Sequence, residues 1–377
     1  MLVSIIIDNY NYGRFLTEAI ESALQQTHRP LEVIVVDDGS TDDSREIIRN
    51  YGDQLIPVFK DNGGQASAFN AGFARSHGDV IIFLDSDDRL LPHIAQQVSE
   101  VFDQDSSVAK VHYRMEVIDA QGQRTGVIKP YPHWPLPSGD LRRHALNFPA
   151  DMAWLPTSGN AFSATVLRQV LPIPEEPFRI LADYYLLHMT ALFGSVVALT
   201  EIGAYYRVHG SNNYEATTLN LRLIRQTIVH WYATHEHIHR FAIQLGLRDS
   251  AGRDALTGQM PPTRPYAIAY LAATLISLKL EPTAHPFKND RAWHLWWMSL
   301  TGIVRRFDVR WPLKWMFFGW FTVMLCAPRP LAVWLAERWL LPEKRGGLNQ
   351  WLSRFNRRKA ALTPIHRPPS QERLTQE

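Results

Sequence analysis

The stretch VIIFLDSDD, Val80 to Asp88, runs five apolar residues into three aspartates within four positions. Two carboxylates about 4 Å apart repel by roughly 4 kcal/mol at a surface-like dielectric. Crowding of this kind needs an offset. A divalent cation with oxygen ligands supplies one; taken alone, the stretch reads equally as a solvated acidic turn. It does not stand alone, because LEVIVV from Leu31 ends in DDGSTDDS and the run Val3 to Ile7 ends in DNYNYG. Polar groups thus gather after successive apolar runs, at the carboxyl edge where open parallel sheets bind ligands.

The elements that must position these residues follow from hydrophobic periodicity. Apolar strand-like runs alternate with helix-like segments through about the first hundred residues, the pattern of a parallel sheet covered by helices. Leu16, Ala19, Ile20, Ala23 and Leu24 recur at helical spacing, and LEVIVV reads as a fully buried strand. Ser40 and Thr41 suit a helix start before Ile47, Ile48 and Tyr51. A short strand over Leu55 to Phe59 leads to DNGGQASAFNAGF, where Gly63 and Gly64 permit a tight turn and Ala66, Ala68, Ala71 and Gly72 let a helix pack closely on the sheet. From Val108, VAKVHYRMEVID alternates like an antiparallel strand before a Gly-containing turn. Pro-rich segments at Pro130 to Pro137 and Pro172 to Pro177 read as loops. After Thr217 the chain turns helical and rich in Trp and Arg.

A chain of 377 residues can bury a sizeable core and holds two domains or one domain with an appendage. A net charge of +2 gives no footprint for nucleic acid. The single cysteine, Cys326, excludes an internal disulfide and a Cys-based zinc site, which suits a reducing, cytosolic compartment. MLVSIII lacks a basic n-region and reads as a first strand rather than a signal peptide.

Two nucleotide-handling folds compete for the pattern. A dinucleotide fold needs three spaced glycines after the first strand, and DNYNYGRFL offers only Gly13. A haloacid-dehalogenase-type phosphatase places D-x-D after an apolar strand, with Asp85 and Asp87 as nucleophile and acid. Arg89, however, stands where that family wants Thr or Val, and the motif follows the fourth run rather than the first. In order and spacing, VSIIIDNYNYGRFLTEAIESALQQT, EVIVVDDGSTDDS, DNGGQASAFNAGF and GDVIIFLDSDD resemble the family 2 glycosyltransferases of GT-A fold, over roughly the first 215 residues. The resemblance implies an α/β fold: a mixed, mainly parallel sheet flanked by helices, with a helical C-terminal extension. It implies transfer of a sugar from a nucleotide-diphosphate donor, UDP-linked, to a saccharide or lipid-linked acceptor, with inversion, in polysaccharide or cell-surface glycan synthesis. A protein of this fold that binds nucleotide sugar without transferring it is the other reading.

The resemblance also distributes roles. Asp8, Asn9, Tyr10, Arg14 and Asp38 belong to the nucleotide side, with Tyr10 and Asn9 flanking the base by stacking and hydrogen bonding. Asn62, Gly63, Gly64, Gln65 and Ala68 form a backbone edge near the nucleotide. Asp85, Ser86 and Asp87 face the donor, while Asp87, Asp88 and His209 are the metal side, for Mg or Mn. The family's general base is the aspartate of a Glu-Asp pair opening a helix. Here PFRILADYY has Ala182 in place of the acid and Asp183 at the base position. A helix-start carboxylate that only meets the dipole is the alternative for Asp183. Ser158, Gly159 and Asn160 in PTSGNAF fall on the acceptor side. In YYRVHGSNN, His209 reads as a metal ligand or a turn-capping histidine, and Arg207 as a balance to phosphate charge.

HEHIH, His235 to His239, matches the zinc-peptidase pattern H-E-x-x-H, but no third ligand follows at a recognisable spacing and a solvated helix face fits better. The organisation expected is a catalytic domain over 1–215, a helical extension over 216–310, interfacial helices over 311–345 and a basic, partly disordered tail over 346–377. Between Trp311 and Pro342 the longest uncharged run, Trp315 to Pro328, is shorter than the ~20 residues of a spanning helix. Two short helices lying on an anionic membrane, with Trp315, Trp320, Trp334 and Trp339 at headgroup depth, are one reading; an internal hairpin is the other. Seven Lys or Arg and no carboxylate between residues 344 and 371 suit an anionic surface at the cytosolic face of the inner membrane.

Overall fold

The computed structural model describes residues 1–132, 134–151, 155–210, 212, 218–253, 255, 266–306, 309–341 and 344. The basic tail expected over 346–377 lies outside the described residues. The chain opens with β1 (Val3–Asn9), α1 (Gly13–Leu24), β2 (Leu31–Asp38), α2 (Ser44–Asn50), β3 (Ile56–Lys60), α3 (Gln65–Phe73) and β4 (Val80–Asp85), close to the sequence periodicity. Helix α2 starts later than Ser40. That hydroxyl is occupied by the Asn9 side-chain amide at 3.1 Å and the Asn11 backbone amide at 2.9 Å, which hold the loop open until Asp43.

Next come β5 (Arg89–Leu90), α4 (Ile94–Gln104), β6 (Val108–Ile118), β7 (Arg124–Lys129), α5 (Arg142–Asn147), β8 (Asn160–Ser163), α6 (Ala164–Val170), α7 (Ala182–Thr190) and β9 (Ser195–Arg207). One mixed sheet runs β3-β2-β1-β4-β8-β6-β9-β5, with β7 hydrogen-bonded to β6. The first four strands in the chain, β1 to β4, are mutually parallel where they pair, and β8 is antiparallel to both β4 and β6. Register then fixes the chemistry. Asp8 lies opposite Asp85, and Asn9 opposite Asp37, so the acidic ends of three strands meet along one edge.

Both faces of the central strands are buried. Ile5, Ile7, Ile82 and Leu84 pack with Leu16, Ile20, Ile94 and Val98 on one side; Ile6, Ile81 and Phe83 pack with Phe69, Leu186 and Phe178 on the other. Helix α3 sits close because Gly72 has no Cβ, which would fall 2.3 Å from Ile6 Cγ2. Strand β6 departs from the alternating, one-sided expectation. It is antiparallel to β7 and β8 but parallel to β9, and its polar positions are covered: His112 Nε2 meets Pro137 O at 2.8 Å, Lys110 Nζ donates to Asn160 Oδ1 at 3.4 Å, and Arg124 pairs with Glu116.

The remaining elements are helices: α8 (Leu221–Gln244), α9 (Ile268–Leu280), α10 (Ala292–Arg305), α11 (Trp311–Cys326) and α12 (Arg329–Leu340). Helix α8 is long enough to serve two cores, placing Ile238 and Ala242 against the sheet's helices and Ile224 and Ile228 against α9. Helices α11 and α12 share that second core: Phe321, Met324, Ala332, Leu335 and Ala336 are buried with Leu271, Leu275 and Ile276. They are one layer of a helical unit rather than a separate pair, because their inward stripes find apolar partners on α9. Asp151 pins this unit to the sheet domain. Its carboxylate accepts the first amides of α9, from Ile268 and Ala269 at 2.8 Å each, and pairs with Arg306, whose guanidinium lies 5.0 Å above the Phe148 ring. Removing one partner of a buried pair leaves an uncompensated charge. Asp151→Ala is therefore expected to cost about 3–5 kcal/mol. Calorimetric melting together with hydrogen exchange at the start of α9 checks this; an unchanged melt would remove the pin.

Candidate active site

The strand ends surround a cavity of about 530 Å³. Asp8, Asn9 and Tyr10 from the end of β1, Asp38 from β2, Asp85 to Asp87 after β4 and Asp183 at the start of α7 all line it. The geometry thus brings the donor-side and base candidates into one space. Asp85, Asp87 and Asp88 offer oxygens within 4.8 Å of one another, the only metal-capable group among the described residues. In HEHIH, His235 is buried and His239 Nδ1 faces Arg248 at 2.6 Å instead of joining His235 in a site.

The crowding leaves its mark on protonation. Burial, then repulsion from Asp87, pushes Asp8 up to about 8. Burial, then Asp8, raises Asp85 well above the ordinary carboxylate range; burial, then Asp87, does the same for Asp88. Asp8 Oδ1 and Asp88 Oδ2 are buried without a partner among the described residues. Oxygen donors short of positive charge are what a hard divalent cation requires, so the residues fit such an ion.

The loop after β9 braces this edge. Arg207 is fully buried, so it does not meet a phosphate as the sequence suggested. Its Nε donates to Asp87 O at 2.8 Å, its backbone amide donates to Asp88 Oδ1 at 2.9 Å, and its guanidinium pairs with Glu18 at 2.8 Å above the Phe15 ring. Asp88 is likewise buried rather than exposed at a strand end, and only Asp85 and Asp87 of the cluster line the cavity. His209 lies between Tyr12 and Phe15, with Nε2 at 3.0 Å from Asp87 and Nδ1 at 3.4 Å from Arg14. A guanidinium only donates, so Nδ1 accepts and Nε2 carries the proton directed at Asp87. His209 is thus Asp87's partner, and Arg14 contacts His209 without lining the cavity itself.

On the nucleotide side, Asp38 holds the backbone. Gly63 N and Gly64 N donate to its two oxygens at 2.9 and 2.7 Å, and Lys60 pairs with it at 2.5 Å, so it builds the turn while also lining the cavity. Asn62 closes the turn by donating to Asp38 O at 3.0 Å and accepting from Arg179. Gly64, at φ +87, could not be another residue, since a Cβ would sit 2.4 Å from Arg179 O. Asn9 is buried and donates to Asp37 and Ser40, whereas Tyr10 is exposed at the rim, free to stack. Ala68 and Ser86 are small walls of the cavity.

Gln65 joins the two halves. Its Nε2 approaches Asp85 Oδ1 at 3.3 Å and Thr157 Oγ1 at 3.4 Å, and its Oε1 accepts from Ala182 N at 3.0 Å. Asp183 follows, with Oδ1 accepting from Tyr184 N at 2.7 Å; the preceding Leu181 is held at φ 66, which turns the chain sharply into the helix. Burial raises Asp183 to about 7, partly countered by the Tyr184 amide and Thr157 hydroxyl. Ser158, Gly159 and Asn160 do not form the cavity surface expected of them. They are buried beneath it, where Ser158 Oγ accepts from Asp85 N at 3.1 Å and Asn160 Nδ2 donates to Pro156 O at 2.8 Å; Pro156 and Thr157 present the surface instead. Tyr12, Thr157, Arg179 and Asn212 also line the cavity and were not singled out from sequence. Arg179 had a signal, as a cation four positions before Asp183.

Residues 4–165 match the family described as Glycosyl transferase family 2. An uncharacterised glycosyltransferase of Nostoc sp. is 39% identical over 251 residues, covering 65% of this chain and 77% of the relative. The chain belongs to glycosyltransferase family 2. A Rickettsia prowazekii uncharacterised glycosyltransferase is 38% identical over 130 residues, 34% of this chain and 41% of that one. Staphylococcus aureus TarS 1–349, solved in complex with UDP-GlcNAc, shares the GT-A fold with a TM-score of 0.50 and 16% identity, over 90% of this chain and 91% of that one. As a family 2 glycosyltransferase of GT-A fold, the protein is a sugar-transferring enzyme.

The raised carboxyls carry a sign. A carboxyl raised from 3.8 toward 7 or 8 binds a proton in the folded state over a range where the unfolded chain has lost it. Stability is then present at low pH and lost as pH rises through the folded values. The metal-free enzyme should melt at higher temperature near about pH 6 than near about pH 8, and Mn or Mg should raise the melt more at the higher pH. A thermal series with and without chelator checks this; equal metal effects at both pH values would contradict it.

Proposed function

We propose that this glycosyltransferase is metal-dependent and inverting. It moves a sugar from a nucleotide diphosphate, UDP-linked, to the hydroxyl of a saccharide or lipid-linked acceptor in cell-surface glycan synthesis. The observation that carries the reading is that Asp183, raised by burial to about 7, shares one cavity with the carboxylates at the end of β4. A base raised to near neutrality is matched to removing a hydroxyl proton at physiological pH. UDP sugars are the first donors to test because TarS, of the same fold, is complexed with UDP-GlcNAc.

In this reading the acceptor oxygen attacks the anomeric carbon, the bond from that carbon to the diphosphate breaks, and the acceptor proton passes to Asp183. Asp85 and Asp87, with Asp88 and His209 behind them, would hold Mg or Mn, which when bound offsets the charge of the leaving diphosphate. Gln65 and Thr157 keep Asp183 and Asp85 in fixed relation. Tyr10 at the rim offers a ring to the base. The catalytic unit comprises residues 1–215, and the enzyme works at the cytosolic face of the inner membrane, where nucleotide sugar and lipid-linked acceptor meet.

Asp183→Asn is expected to lower turnover by about a hundred- to ten-thousandfold with donor KM within a few-fold, because a base acts in the transition state. Wild-type turnover should fall as pH drops below about 7, where Asp183 takes a proton. Donor-hydrolysis and transfer kinetics over a panel of nucleotide sugars read both; a loss of only severalfold sends the base assignment elsewhere. Asp87→Asn should abolish metal-dependent binding of nucleoside diphosphate by calorimetry while the protein stays folded, and unchanged metal dependence would remove the proposed metal site.

A further inference from the structure

The outer side of the helical unit carries aromatic residues that no core uses. Trp293 and Trp297 on α10 are 66% and 59% exposed, and Trp311 and Trp315 on α11 are 58% and 67% exposed. Val304, Val323, Leu331 and Trp334 are exposed as well. The spacing explains this: 293, 297 and 304 fall on one side of α10, and 311, 315, 319, 322, 323 and 326 on one side of α11. Lys314 Nζ to Val304 O at 2.9 Å and Trp296 Nε1 to Thr322 Oγ1 at 3.1 Å tie the two helices together at both ends of the pair. By contrast, Trp320 and Trp339 pack against each other within the unit, ring centroids 4.4 Å apart and tilted by 37°, and are not part of this face.

Large exposed apolar patches mark interaction surfaces, and the chemistry around these side chains selects the occupant. Residues 291–336 contain a single carboxylate, Asp308, while Arg291, Arg305, Arg310 and Arg329 are exposed. The chain from 344 to 371 adds seven Lys or Arg and no carboxylate. Tryptophan rings suit the depth of lipid headgroups, and basic residues beside them suit an anionic leaflet. The inner stripes of α11 and α12 are committed to the unit's own core through Phe321, Met324 and Ala332, so only the outer face is available to lipid. No helix among the described residues is long and apolar enough to cross a membrane.

We propose that the exposed side of α10 and α11, centred on Trp293, Trp297, Trp311 and Trp315, is the surface by which this enzyme docks on an anionic lipid bilayer. It names the contact face for the membrane location given above, and it is argued without reference to transfer chemistry. Helix α10 enters this surface only through the fold, since the membrane-facing reading of the sequence began at Trp311.

The test uses the full chain with mixed phosphatidylcholine and phosphatidylglycerol vesicles, with phosphatidylcholine alone as reference. Wild-type protein is expected to cosediment with the mixed vesicles, to show a blue shift of tryptophan emission, and to be quenched by lipids brominated near the headgroup. A triple variant, Trp293→Ser, Trp297→Ser and Trp315→Ser, is expected to bind at least tenfold more weakly with an unchanged circular dichroism melt. Donor hydrolysis in solution is followed in parallel, so that loss of docking and loss of transfer are read separately. Equal binding to both vesicle types overturns the assignment of an anionic surface. Full retention of binding by the variant assigns docking to the basic segment after residue 344 instead. Light scattering that shows a wild-type dimer, lost in the variant, with no vesicle binding assigns the face to a second copy of the chain. The brominated-lipid measurement needs no variant, and absence of quenching in bound wild-type protein also overturns the proposal.

Discussion

The constraint on which the rest depends is the repulsion among carboxylates at the carboxyl edge of the sheet. Parallel pairing of β1 with β4 sets Asp8 opposite Asp85, and the turn after β4 adds Asp87 and Asp88. At low dielectric such charges cannot all remain ionised without a cation or a proton. Much of the surrounding architecture serves to hold them despite this. Arg207 is drawn from the far end of the sheet to fix the backbone of Asp87 and the side chain of Asp88, and His209 directs its proton at Asp87. Buried cation and buried carboxylates thereby become one unit, with β9 as its support.

A second organising feature is the use of side chains to shape backbone. Asp38 accepts two glycine amides and a lysine, so the turn at Gly63 and Gly64 is held at the distance where the main chain of Arg179 can reach Gln65, whose amide donates to Arg179 O at 2.8 Å. Gln65 then touches Asp85, Thr157 and Ala182 together. The position of Asp183 is in this way set from the strand end carrying Asp85. Ala182 leaves its backbone amide to this same glutamine and takes no part through its side chain. The helical unit is held by comparable economy, with Asp151 satisfying two helix amides and Arg306 at once.

The sequence by itself determined the parallel half of the sheet, because its strands are short apolar runs buried on both faces and its helices carry a clear apolar stripe. It also determined the location of the acidic edge, since Asp8, Asp38, Asp85 and Asp87 each end an apolar run or follow one directly. That Asp183 stands at the opening of a helix was legible from its setting in PFRILADYY. Only the tertiary structure decided what each polar group does, and the reason is competition among partners distant in the chain. Asp38 ends its strand in any reading, but only the fold shows that Gly63, Gly64 and Lys60 converge on its carboxylate. Arg207 looked like a phosphate cation until Asp87, Asp88 and Glu18, as far as 189 positions away, were seen to bury it. Ser158 to Asn160 looked like surface, and β8 pairing between β4 and β6 placed them underneath. The same holds for the tryptophans: periodicity marks which side of a helix is apolar, but when a helix is apolar all round, as α11 nearly is, only the packing of its neighbours selects the face that remains outside.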